Sequence, residues 1–204
     1  WYDNIPILSF ILLKTKCRYC NEKISPQYLL VEIIAGVSFI LIYLLDYPLI
    51  TKVFLAVLLI LYLIIFFIDI KHFIIPDVLS FTIITLALLK NFLPSLHSHF
   101  THDFLQSIIG GLLGYFSIWI IIFTYRKLKN TEAMGLGDAK LMAGIGLLFG
   151  WMSLPVVLFV AAVIGLVMVI PSLLQGQRNL QSQIPFGPYI ISAGIVYFIF
   201  GNTL

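Results

Sequence analysis

Charge is what this chain has little of. Asp, Glu, Lys and Arg make up only 10% of its 204 residues, while hydrophobic residues make up 61%. An ordinary soluble domain carries about 25% charged residues, so a soluble globular domain is excluded. Cysteine is scarce as well. Cys17 and Cys20 form a single C-x-x-C, which is no disulfide framework of the secreted kind. The net charge of +3 is too small to point to nucleic acid. No glycine-rich nucleotide fingerprint follows a strand. There is no Met at position 1 and no signal-peptide pattern. The polar, basic stretch from Trp1 to Pro26 reads as the end of a loop, so the natural N-terminus is expected upstream.

What is present is a series of apolar runs. A membrane helix needs about 20 mostly apolar residues. Seven candidates occur, over Gln27 to Leu45, Thr51 to Ile68, Asp77 to Leu93, Phe104 to Tyr125, Asp138 to Trp151, Leu154 to Leu174 and Tyr189 to Phe200. The fifth and seventh are short enough to be partial spans. Pro171 is expected to end or kink the sixth. The expected fold is all-α: a polytopic membrane helical bundle of about seven spans. Residues 1–26 form the remainder of a cytoplasmic loop domain, and residues 27–204 a membrane-embedded domain. Gly110, Gly111, Gly114, Gly144 and Gly146 are read as sites of close helix packing.

Lys and Arg in short loops set orientation. With the first segment cytoplasmic, that side receives Lys14, Lys16, Arg18, Lys23, Lys71, Arg126, Lys127, Lys129, Lys140 and Arg178; the other receives only Lys52 and Lys90. Asp69, Asp77 and Asp138 then share the cytoplasmic face. Ionisable groups beside an apolar helix are costly and mark functional sites. Asp69 is expected at the C-terminal pole of its helix, where the dipole disfavours a negative charge. Asp77 follows Pro76, and an N-cap duty competes with a functional one there. Asp138 stands behind Gly135 and Gly137, which allow close backbone approach. Two neighbouring carboxylates cannot both ionise easily. Such a pair can act on a water and on a peptide carbonyl together.

Other polar groups have plainer readings. Glu32 either hydrogen-bonds inside the bundle or lines a substrate path. His97, His99, His102 and Asp103 read as a solvated outward loop. Arg126, Lys127 and Lys129 read as anchors to anionic lipid, and Lys140, two residues past Asp138, as a side chain that reaches the interface or else lowers a nearby pKa. Ile184 to Pro188, with two prolines and a glycine, reads as a tight turn, with a loop that holds an extended substrate as the alternative.

Asp69-Ile-Lys-His-Phe-Ile-Ile-Pro76-Asp77, Gly135-Leu-Gly-Asp138 and Ile184-Pro-Phe-Gly-Pro188 resemble the type IV prepilin peptidases. Trp1 to Ser9 and Cys17-Arg-Tyr-Cys20 resemble the cytoplasmic loop of the bacterial members. The resemblance implies a G-x-G-D aspartic endopeptidase in the bacterial cytoplasmic (inner) membrane, with its active site facing the cytoplasm. It would remove the basic leader of prepilin and pseudopilin helices, cutting after a glycine. Asp69 and Asp138 match the family's catalytic pair; Gly135, Gly137, Asp77 and Lys140 support it. The peptidase step needs no cofactor. Many bacterial members also methylate the new N-terminus from S-adenosylmethionine. They carry two C-x-x-C pairs thought to hold zinc, of which Cys17 and Cys20 supply half. Partners are the substrate helices and the lipid bilayer, with no nucleic acid; oligomeric state is open. Two rivals stand: a presenilin-like intramembrane protease, whose first aspartate follows a tyrosine where Asp69 follows Ile68 and whose Pro-Ala-Leu motif is missing, and a proton-coupled transporter, for which no internal repeat is seen.

Overall fold

The computed structural model describes residues 7–13, 15–96, 100, 103–129, 134–174 and 184–201. Among them the chain is helical, apart from one isolated β-bridge between Lys16 and Lys23. A five-residue α1 (Leu8–Leu12) precedes α2 (Pro26–Leu44), α3 (Leu49–His72), α4 (Asp77–Leu89), α5 (Phe104–Lys129), α6 (Leu136–Phe149), α7 (Ser153–Leu174) and α8 (Gly187–Phe200). The seven apolar runs therefore each become a helix. Four are long and apolar enough to cross a membrane: Pro26–Leu44, Leu49–His72, Phe104–Leu128 and Ser153–Ile170. This is a membrane protein.

Several boundaries differ from expectation. The helix of the third run stops at Leu89 and tightens into 3-10 turns over Lys90–Phe92 and Pro94–Leu96. Helix α7 continues past Pro171 to Leu174, so that proline does not end it. An apolar membrane helix tolerates proline when its surroundings satisfy the freed carbonyl. Helix α3 runs on to His72. Phe73 then closes it in a left-handed conformation (φ 57°), its N–H donating to the Asp69 carbonyl at 2.9 Å. That is the geometry of an αL cap, filled here by a phenylalanine. Asp69 therefore lies in the last turn of α3, at its C-terminal pole as expected, with three further residues to the helix end.

Two compact units divide the chain, Trp1–Leu63 and Ile64–Leu204. In the first, Ser25 caps α2 by accepting the Gln27 N–H at 3.3 Å, and Pro26 opens the helix, a position suited to a residue without an N–H. No residue of α2 is buried.

In the second unit α6 is the centre. A Cβ built on Gly146 would lie 2.1 Å from the Gly110 carbonyl oxygen, and one on Gly114 2.6 Å from that of Met142. The α5 and α6 backbones thus touch without intervening side chains, as small residues permit. The pairing of Gly110 with Gly146 and of Gly114 with Met142 makes the two helices antiparallel. Ser107 adds a buried hydrogen bond to the Leu147 carbonyl. On another side, Gly137 meets Ile75 and Gly144 meets Ile83, so α4 runs parallel to α6. Gly194 of α8 rests on Ile145. The glycines do serve packing, as expected.

Candidate active site

Asp69 and Asp138 come from different helices and are both buried, at 4% and 7% exposure. The Asp138 carboxyl feels the charge of Asp69. The elements that hold them converge on Ile75, in the turn between α3 and α4. A Cβ on Gly187 would lie 2.8 Å from Asp69 Oδ2 and 2.9 Å from Ile75 Cδ1. One on Gly137, the residue before Asp138, would lie 2.8 Å from Ile75 Cβ.

Asp69 Oδ2 accepts the Gly187 backbone N–H at 3.0 Å. Gly187 is the first residue of α8, followed by Pro188 in the first turn. Its N–H is one of the donors a helix leaves unsatisfied at its start, and the helix dipole favours a carboxylate there. Asp138 sits at the third position of α6. Its Oδ2 accepts the Gly135 N–H at 3.3 Å, which is a capping duty. Its Oδ1 is buried with no hydrogen-bond partner among the described residues. Capping thus occupies one oxygen of Asp138 and leaves the other without a partner among the described residues. An unpaired buried polar atom costs stability and persists where function or a ligand requires it. Of the two glycines ahead of Asp138, only Gly137 is in tight contact; a Cβ on Gly135 would meet nothing nearer than 3.8 Å.

Asp77 is placed differently. Pro76 holds the N-cap of α4, and Asp77 is the first helical residue, so the expected capping duty falls away. Its side chain is 61% exposed and pairs with Lys140 Nζ at 2.5 Å. Lys140 also lies over the Phe81 ring, 5.3 Å from its centroid. The lysine is therefore engaged with α4 and does not simply extend to the interface. The ion pair ties α4 to α6 two residues beyond Asp138.

The remaining sequence candidates fall outside this cluster or outside the described residues. Glu32 Oε2 accepts the Ile7 N–H at 2.7 Å, a hydrogen bond within the first unit. Asp103 caps α5 through the Leu105 N–H at 3.0 Å. His97, His99, His102, Lys14, Arg178 and most of the stretch Trp1 to Ser9 lie outside the described residues. Cys17 and Cys20 are free thiols in a tight loop. Its backbone closes with Cys17 N–H to Glu22 O at 2.8 Å and Asn21 N–H to Cys17 O at 3.0 Å. The N–H groups of Cys20 and Tyr19 turn toward the Cys17 sulfur and hold its thiol below the ordinary range. Among the described residues no group of three or more metal-ligating side chains assembles.

Gly187 and Ile75 are the site residues that sequence reasoning missed. The Ile184 to Pro188 stretch reads from sequence as a tight turn or a substrate-holding loop, with no contact to Asp69 expected. Its glycine between Phe186 and Pro188 was the available signal, since a turn needs no bare backbone at a helix start.

The fold and site define a helical membrane protein with two buried carboxylates joined across a turn. The comparisons give that class a family. The model of the type IV leader peptidase family matches residues 56–170, and that of the bacterial peptidase A24 N-terminal domain matches residues 1–45. A prepilin leader peptidase/N-methyltransferase of Aeromonas hydrophila is 31% identical over 210 residues, covering 99% of this chain and 68% of that protein. One from Pectobacterium carotovorum subsp. carotovorum is 33% identical, covering 95% of this chain and 67% of that protein. One from Klebsiella pneumoniae is 36% identical, covering 79% and 69%. No solved structure matches. The chain belongs to the type IV leader peptidase family and is a peptidase by that membership.

Proposed function

We propose that this chain is an aspartic endopeptidase that removes the leader of type IV prepilins and pseudopilins at the cytoplasmic face of the bacterial inner membrane. The observation that carries the reading is the convergence of Asp69 and Asp138, both buried, on one turn, with Asp138 in reach of the Asp69 charge. One carboxylate takes a proton from an attacking water while the other gives one to the scissile carbonyl. The amide nitrogen is then protonated as the tetrahedral species collapses. The free Oδ1 of Asp138 suits a group that must bond to an incoming peptide. Gly187 keeps the Asp69 carboxylate in place. All seven long helices cross or enter the bilayer in this reading, and the Lys and Arg distribution puts the dyad on the cytoplasmic side.

The relatives' names include an N-methyltransferase activity, and the matched N-terminal domain extends the proposal to methylation of the new N-terminus by S-adenosylmethionine. Zinc fits in part. The Cys17 loop aims backbone N–H groups at sulfur, which suits a thiolate ligand. Two thiolates supply two of the four positions of a structural zinc site, so zinc belongs to the proposal only where a second pair joins them. When bound it would hold the loop's fold, and the cleavage step does not pass through it.

The test is cleavage of a prepilin by Asp69→Asn and Asp138→Asn variants in membranes, read as the shift in substrate size. Each variant is expected to lose at least roughly 100-fold in rate, the low end for a positioned acid or base. Wild-type cleavage by either variant removes that residue from the mechanism.

A further inference from the structure

We propose that the first unit holds a binding site for the free amine at the end of a peptide chain, with the Glu32 carboxylate as its anchor. The assignment rests on the methylation part of the reading above, since an N-methyltransferase needs an amine to act on.

A cavity of about 240 Å³ lies in the first unit, lined by Ser9, Phe10, Ile24, Tyr28 and Glu32. All of these residues fall in the segment matched by the bacterial N-terminal domain, residues 1–45, and none in the segment matched by the leader peptidase model, residues 56–170. The cavity is thus separate in sequence from Asp69 and Asp138. It gives the second activity in the relatives' names a place of its own.

Glu32 stands in the second turn of α2, which carries no other charged residue. A carboxylate on so apolar a helix needs a partner. Its Oε2 accepts the Ile7 N–H at 2.7 Å, and Ile7 is in a left-handed conformation (φ 64°). That bond fixes the carboxylate in orientation but does not neutralise it. Among the described residues no cation pairs with Glu32, although Lys16 and Lys23 belong to the same unit. Tyr28 lies four residues earlier, on the same face of α2. It is 67% exposed, and Phe10 supplies a second ring to the cavity.

A fixed carboxylate among aromatic rings selects a cation that can donate. An ammonium makes charge-assisted hydrogen bonds to the carboxylate and is attracted to ring faces. Size narrows the choice further. The cavity, at about 240 Å³, falls below the ~300–1,000 Å³ of sites that enclose a drug-sized ligand. It suits one end of a chain, with the ammonium on Glu32 and the first side chain against Ile24 and the rings. A nucleoside-bearing methyl donor needs more room.

The experiment uses the full chain in detergent and a short peptide with an apolar first residue, in two forms: free N-terminus and N-acetylated. Calorimetric titration gives the ratio of their affinities. Wild type is expected to favour the free form by at least about 10-fold, the worth of one hydrogen bond to a charged group. Glu32→Gln keeps an oxygen for the Ile7 N–H and loses only the charge, so its ratio is expected to fall to near 1. Tyr28→Ala is expected to lower the ratio by about 2- to 5-fold. Equal binding of the two forms by wild type, or a wild-type ratio in Glu32→Gln, overturns the assignment. Should Glu32→Gln not fold, an unaltered ratio in Tyr28→Ala does so, since that side chain is too exposed to be needed for folding. Titration with S-adenosylmethionine runs beside these. If Glu32→Gln weakens its binding and leaves the peptide ratio intact, the cavity belongs to the donor and the assignment falls. Methyl transfer to the peptide by wild type is measured as well. Transfer with equal binding of the two peptides overturns the site alone. A wild-type preference lost in Glu32→Gln, with no transfer, overturns the methylation reading and upholds the amine site.

Discussion

Helices α2 and α6 are opposites made of similar material. Both are apolar along most of their length. Yet no residue of α2 is buried, while every residue of α6 from Asp138 to Leu148 except Lys140 is. Apolarity does not distinguish a lipid-facing helix from a central one, because lipid tails are as apolar as a protein core. Side-chain size does. Helix α6 spreads Gly137, Ala139, Ala143, Gly144 and Gly146 along its length, whereas the small residues of α2 are confined to Ala35, Gly36 and Ser38 among Leu, Ile, Val, Phe and Tyr. The exposed tyrosines and leucines of α2, such as Tyr28, Leu41 and Tyr43, make a surface for the bilayer. The small residues of α6 let α5 and α4 close on it and fix the axis that carries Asp138.

One pair of substitutions can break this contrast. Gly146→Ala places a carbon 2.1 Å from a backbone oxygen of α5, and backbone on both sides leaves no flexible side chain to move. Overpacking of this kind costs about 1–3 kcal/mol, occasionally more, so the expected outcome is a clear fall in Tm in detergent and weaker cleavage, since Asp138 shares the helix. Gly36→Ala in α2 adds a carbon with nothing within 4 Å. It should leave cleavage intact and raise stability by up to about 1 kcal/mol, the helix-propensity difference. Equal losses from the two variants would mean that α2 is as closely packed as α6.

The same contrast explains how much of the molecule could be read in advance. Helices announce themselves as apolar runs, and Asp69 and Asp138 as carboxylates that lipid would not tolerate. The side they share followed from Lys and Arg counts. Contacts between distant positions carry no such mark. That Ile75 joins two glycines, or that Gly187 donates to Asp69, depends on which helices meet, and no local pattern encodes it. The end of α3 was hidden for another reason. The cap residue there is Phe73, in a conformation usually given to glycine, so the helix was read as ending at Ile68 when it runs on to His72. Asp77 misled in the opposite way. Its place after Pro76 has the look of a cap, but proline had already taken that position.

The smallest expected effect comes from the Asp77–Lys140 pair. Its geometry is close, at 2.5 Å, and its two partners reach from α4 to α6. Burial decides its worth. The Asp77 side chain is 61% exposed and that of Lys140 21%, so water screens much of the attraction, and exposed pairs contribute about 0–1 kcal/mol. Gly137 against Ile75 and Gly144 against Ile83 hold the same two helices without it. Asp77→Asn and Lys140→Met should therefore each lower stability by at most about 1 kcal/mol, with the double variant no worse than the sum of the singles. Cleavage should fall far less than with Asn at Asp69 or Asp138. A double-mutant cycle on Tm, run beside the cleavage assay, checks both points. If Asp77→Asn abolished cleavage while Lys140→Met did not, the exposed carboxylate would belong with the buried pair, and burial would no longer separate the acids that react from the acid that only holds helices together.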